Sequence, residues 1–127
     1  VNLLLDTHAF LWFATGDRRL SRTARTAMEG ADVALQLSAV SVWEMAIKAS
    51  LGHLTLPDTV DAYVREKIDE GYRVLPITST HAAAVERLPF HHRDPFDRLL
   101  VAHAMTERLP LVTRDRVFRK YGVTVIW

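Results

Sequence analysis

Four acidic residues, Asp6, Glu44, Asp97 and Asp115, come from distant parts of the chain, yet each falls at a similar place in the pattern around it. Asp6 closes the apolar run Leu3-Leu4-Leu5. Glu44 lies one short turn beyond the run Val33 to Leu37, and Asp115 follows Leu111-Val112-Thr113 with one residue between. Asp97 stands in the first turn of a helix expected to open at Pro95. A charge cannot sit unpaired inside an apolar strand, so such groups must project from strand ends. Neighbouring strands lie about 4.8 Å apart, so acids at those ends converge. Two carboxylates roughly 4 Å apart repel by about 4 kcal/mol at an effective dielectric near 20. Three or four together therefore need a cation. Oxygen donors without cysteine select Mg²⁺ or Mn²⁺ rather than zinc, and one or two ions are expected. Thr113 is close enough to such a cluster to hydrogen-bond a carboxylate.

Each acid also has a plain structural reading. Asp6 can cap a helix beginning near Ala9, and Asp115 can cap the segment after it. Ser41-Val42-Trp43-Glu44 fits a capping box, and Lys48 stands four residues beyond Glu44 for a helical ion pair. In Asp94-Pro95-Phe96-Asp97, Asp94 is a good N-cap, Pro95 a good first helical residue, and Asp97 a favourable acid near the helix dipole. The set is harder to explain this way than its members. His103 lies roughly 120° around the helix from Asp97 and is expected to be structural.

The elements needed to position these groups can be read from periodicity. Val1 to Leu5, Val33 to Leu37, Arg73 to Ile77, Leu111 to Thr113 and Val123 to Ile126 read as strands, with Pro76 shortening the third or placing it at an edge. Helices are expected from about Ala9, from Ser21 to Gly30, over Val42 to Leu51, from an N-cap at Asp58, over Ser79 to Leu88, from Pro95 to Arg108, and over Arg116 to Tyr121. Apolar strands alternating with helices predict an α/β fold: a parallel sheet of about five strands with helices on both faces.

The bulk composition fits one domain spanning residues 1–127. With no cysteine, thiolate metal sites, disulfides and a thiol nucleophile are all excluded. No apolar stretch is long enough to span a bilayer, and no secretion signal opens the chain, so a cytoplasmic protein is expected. The net charge of +1 is uninformative, but residues 89–127 hold seven basic and four acidic groups. Neutralising four carboxylates with metal would leave a basic protein suited to a polyanion.

Leu4-Leu5-Asp6-Thr7-His8 with Leu11-Trp12, Ser38-x-x-Ser41-x-x-Glu44-x-x-x-Lys48, Asp94-Pro95-Phe96-Asp97-Arg98-Leu99-Leu100, and Val112-Thr113-x-Asp115 together resemble the PIN-domain toxins of the VapC type. The resemblance covers essentially the whole chain in order. It implies a PIN-like three-layer sandwich and endoribonuclease activity, with hydrolysis leaving a 5′-phosphate and a 3′-hydroxyl. Asp6 and Asp97 would be direct metal ligands, Glu44 and Asp115 direct or water-bridged ones, Thr113 an accompanying hydroxyl, and Asp94 peripheral. Arg98, Arg114 and Arg116, each beside a motif acid, are candidates to face phosphate. His8, His91 and His92 are expected in loop or capping roles. The resemblance also implies a homodimer and a cognate antitoxin whose tail lies in an apolar groove, with Phe10 to Phe13 and Trp43 as candidate lining, although large aromatics more often fill cores.

Two other readings compete. A phospho-receiver domain also binds Mg²⁺ through acids at sheet ends, but it needs paired acids after the first strand and a lysine after the last, and neither is found here. A catalytically silent PIN-like binding module would keep the fold without turnover.

Overall fold

The computed structural model describes residues 1–127. Five strands, β1 (Asn2–Leu5), β2 (Ala34–Ser38), β3 (Arg73–Leu75), β4 (Leu111–Val112) and β5 (Val125–Ile126), form one sheet in the order β3-β2-β1-β4-β5. Every pairing is parallel. Six α-helices fill the connections: α1 (Thr7–Thr15), α2 (Arg22–Met28), α3 (Ala39–Ser50), α4 (Val60–Asp69), α5 (Ser79–Ala84) and α6 (Pro95–Glu107). Val85–Arg87 and Arg116–Tyr121 are 3₁₀ segments.

The three layers follow from side-chain alternation along β1. Leu3 and Leu5 point into a cluster with Phe10 of α1, Met28 of α2, Met45 of α3 and Tyr63 of α4. Leu4 points the other way, against Leu100 and Val101 of α6 with Phe118 and Tyr121. With both faces covered over Leu3 to Leu5, those three positions must be apolar, while Asn2 at the exposed start of β1 is free of that demand. Successive strands run outward from β1 on one side through β2 to β3, and on the other through β4 to β5. The chain therefore reverses direction across the sheet between β1 and β4, the kind of crevice at which open parallel sheets place their sites.

Most differences from the sequence reading are at element ends. Thr59, not Asp58, caps α4, through a hydroxyl that accepts from the Ala62 N–H at 3.2 Å. The expected Ser79 to Leu88 helix tightens into its 3₁₀ segment after Ala84, and the expected helix at Arg116 to Tyr121 is 3₁₀ throughout. β3 ends just before Pro76 and lies at the sheet edge, where a missing N–H costs nothing. The larger difference is α3, which starts at Ala39 rather than Val42 because Ser38 caps it, its hydroxyl accepting from the Val40 N–H at 3.1 Å. Glu44 then lies in the second turn and cannot serve Ser41 in a capping box.

Candidate metal centre

The crevice between β1 and β4 takes Asp6 from one side and Thr113 from the other. The Asp6 N–H donates to the Val112 carbonyl at 3.0 Å, so the backbone stays paired with β4 while the side chain emerges at the strand end. Asp6 Oδ1 accepts from the Ala9 N–H at 2.7 Å and so caps α1. Burial pushes its carboxyl up from the ordinary range, against the hydrogen bonds from Thr113 and Ala9 that favour the charged form; the nearby Glu44 charge pushes it up further. Thr113 is fully buried and its hydroxyl also accepts from the Asp115 N–H at 3.1 Å. It thus links the first and last acids.

Glu44 is held by two side chains. The Thr7 hydroxyl donates to Oε1 at 2.6 Å, and Lys48 Nζ lies 2.8 Å from Oε2. The i,i+4 pair expected from the sequence therefore forms, but it balances one carboxylate only.

On α6, Asp94 acts as N-cap, with Oδ1 accepting from the Phe96 N–H at 2.7 Å. Asp97 is lifted to about 6, first by burial and then by the neighbouring charge of Asp94, with Asp115 and Glu44 adding to the push and His92 opposing it. Asp115 caps the last 3₁₀ segment, its Oδ1 accepting from the Val117 N–H at 2.9 Å, while Oδ2 lies 2.7 Å from His92 Nε2. Donor atoms of His92, Asp97 and Asp115 all lie within 4.8 Å of one another.

The four acids thus belong to one neighbourhood. A pocket of about 210 Å³ is lined by Asp6, Glu44, Asp94 and Asp97, with Lys48 as its one lysine or arginine. Asp115 adjoins it through Asp97. This donor set fits a hard divalent cation: crowded carboxylates raise each other's proton affinity, and a divalent ion relieves that repulsion through oxygen ligands.

The flanking cations divide. Arg98 does not face phosphate. It is buried, with Nη1 donating to the carbonyls of Pro89 and His92 at 3.0 and 3.4 Å and Nη2 to those of Val85 and Leu88 at 3.2 and 3.3 Å. Its position one residue after Asp97 on a helix turns it inward, where it ties down the segment from Val85 to His92. Arg114 and Arg116 are exposed on either side of Asp115.

The histidines divide as well. His8 is exposed and stacks on Trp12 at 5.2 Å, at the pocket rim. His91 is exposed and meets the Tyr121 ring edge-on at 4.9 Å. His103 is wholly buried, as its helical phase implies, with Nδ1 2.8 Å from the Ser38 hydroxyl. Burial, with His81 beside it, drops its pKa to about 4. Two contributors escaped the sequence reading. Thr7 could have been suspected from its place directly after Asp6. His92 carries no spacing signal toward Asp115, 23 residues away.

Residues 3–123 match the PIN domain family. The chain belongs to the PIN-domain family. The match spans all four acids and removes the phospho-receiver alternative. This PIN domain is 35% identical over 120 residues to Ribonuclease VapC22 of Mycobacterium tuberculosis, covering 94% of this chain and 91% of the relative. Its fold is similar to VapBC2 from Rickettsia felis bound to a promoter DNA fragment, with a TM-score of 0.70 at 12% identity over 98% of this chain and 97% of that one. A toxin–antitoxin complex from Klebsiella pneumoniae gives 0.61 at 22% identity, over 89% and 86%.

A second feature of this PIN domain is a groove of about 730 Å³ between α1, α4 and the segment after α3. Leu11, Trp12, Leu54 and Leu56 give it an apolar floor. Of the aromatic residues expected to line such a groove, Phe10 is wholly buried in the core, and Trp43 stands away from it against Phe96 at 4.8 Å. Thr7, His8 and Lys48 border both the groove and the acidic pocket, so the two are continuous. No helix is long and apolar enough to cross a membrane.

Proposed function

We propose that this PIN domain, comprising residues 1–127, is an endoribonuclease that hydrolyses RNA phosphodiester bonds with Mg²⁺ or Mn²⁺. We propose further that it is the toxin of a toxin–antitoxin pair acting in the cytoplasm. The observation that carries this reading is the crowding of acids from separate segments in and beside one pocket that holds a single lysine. The likeness to a ribonuclease over most of both chains supports it.

When bound, a divalent cation supplies concentrated positive charge that acidifies water and offsets charge building on a phosphodiester. Asp6 and Asp97 are assigned as the residues that hold it directly. Glu44, kept in place by Thr7 and Lys48, and Asp115, held through the Thr113 hydroxyl, complete the ring of oxygen donors. Arg114 and Arg116, on the exposed side of Asp115, are assigned to the RNA backbone, where they supply affinity rather than sequence choice. The products expected are a 5′-phosphate and a 3′-hydroxyl.

The antitoxin is assigned to the groove. An extended segment lying on Leu11, Trp12, Leu54 and Leu56 and continuing past His8 and Lys48 reaches the acidic pocket and blocks it. We propose a homodimer by analogy with the family.

The test is purified protein, free of antitoxin, incubated with RNA and with DNA. RNA cleavage that needs Mg²⁺ or Mn²⁺ and stops on chelation is the expected result, with Asp6→Asn inactive but folded. No cleavage of either polymer at any metal concentration would favour a binding module, and cleavage of DNA alone would reassign the substrate.

A further inference from the structure

We propose that His92 is a positioning residue that fixes Asp115 in the acidic ring and is not itself a metal ligand. This inference rests on the metal-dependent reading above and assigns the part of one residue within it. Proximity alone suggests otherwise, since the His92 ring lies within 4.8 Å of donor atoms on Asp97 and Asp115.

Hydrogen-bond chemistry decides between the two roles. A carboxylate only accepts, so the contact of 2.7 Å between His92 Nε2 and Asp115 Oδ2 places the proton on Nε2. In the neutral ring Nδ1 is then the acceptor, and the Tyr121 hydroxyl, 2.9 Å away, donates to it. Both nitrogens are occupied, and no lone pair is left for a cation. The chain Tyr121 to His92 to Asp115 runs in one direction and ends on an acid. Oδ1 of that acid is already engaged by the Val117 N–H, so the carboxylate is gripped at both oxygens with lone pairs to spare.

The imidazole is itself held in place. Its side chain is only 9% exposed, the ring lies 4.4 Å from Phe118 and near-parallel to Tyr121, and its backbone carbonyl accepts from Arg98. Arg98 thus has a purpose consistent with its burial: it shapes the segment that delivers His92. A rigid donor behind a ligand keeps that ligand oriented, and removing one of this kind typically weakens metal affinity by about 10–100-fold.

Mn²⁺ binding to the intact protein tests this without reference to RNA. His92→Phe keeps an aromatic ring against Phe118 but removes the donor, whereas His92→Gln keeps an amide donor. The expected result is an Mn²⁺ Kd about 10–100-fold weaker for His92→Phe and nearer wild type for His92→Gln. Tyr121→Phe, which leaves His92 in place but frees Nδ1, should show a smaller loss and serves if His92→Phe does not fold. Pulsed electron paramagnetic resonance of the Mn²⁺-loaded protein should show no imidazole nitrogen bound to the metal. Unchanged affinity in His92→Phe overturns the proposal, as does unchanged affinity in Tyr121→Phe should His92→Phe not fold, or a nitrogen coupling that vanishes in His92→Gln. If wild-type protein binds no Mn²⁺ at all, the metal reading itself fails, an outcome distinct from either.

Discussion

Replacing Asp97 with asparagine should stabilise the metal-free protein while removing its response to metal. In the folded chain this carboxyl is raised from 3.8 to about 6 by burial and by the charges of Asp94, Asp115 and Glu44. A carboxyl whose folded pKa lies above its unfolded one favours the fold when protonated. Its penalty is absent below about pH 3.8, grows as pH rises, and is complete above about pH 6. The full difference corresponds to about 3 kcal/mol, and solvent screening at this half-buried position reduces it to about 1–2 kcal/mol. An asparagine side chain carries no charge, so Asp97→Asn should gain that amount at pH 7.5 in chelator and far less near pH 4. For a chain of this length the gain at neutral pH is about 4–7 °C in Tm. Thermal unfolding of both proteins at the two pH values, with and without Mn²⁺, is the assay. Wild type should gain stability on adding Mn²⁺ and the variant should gain little. A variant no more stable than wild type at pH 7.5, or one stabilised equally at both pH values, would refute the claim that Asp97 holds a charge penalised first by burial and then by its acidic neighbours.

Three further outcomes follow from named contacts. His103 is buried with its pKa at about 4 against 6.5 ordinarily, so at this group the unfolded chain binds the proton first as pH falls; its own contribution to stability should drop by about 3 kcal/mol between those values, against the opposite drift from Asp97. His103→Gln should therefore gain stability relative to wild type as pH falls from 6.5 to about 4, read by urea denaturation followed against pH. Arg98→Met leaves four carbonyls short of a donor and should cost about 2–4 kcal/mol in denaturant unfolding. Joint replacement of Arg114 and Arg116 by alanine should leave Tm nearly unchanged and lower the salt slope of RNA binding by about 1.4, read by titration at several salt concentrations.

Much of the fold is written in β1, because positions buried on both faces of a sheet have to be apolar in succession, and Leu3, Leu4 and Leu5 are. The helix phases followed from the same logic, as with His103. The acids were legible as strand-end residues, but capping and metal-binding readings do not compete in the way single positions suggested. Asp6 spends one oxygen on a backbone N–H and keeps the other for the pocket, while Asp115, beside the pocket, caps with one oxygen and takes His92 on the other, with lone pairs left on both. Two things were hidden. The start of α3 depended on whether Ser38 or Ser41 caps it, a choice settled by tertiary packing of Ser38 against His103. The roles of Arg98 and His92 depended on which way a side chain turns, and no periodicity records that Arg98 meets carbonyls of residues 85–92.

A crystal of the protein soaked in Mn²⁺ and measured at a wavelength where manganese scatters anomalously offers the most direct check. The expected result is an anomalous peak enclosed by oxygens of Asp6 and Asp97, with Glu44 and Asp115 coordinating directly or through water. A peak held elsewhere on the surface, or none beside these residues at saturating Mn²⁺, would contradict it.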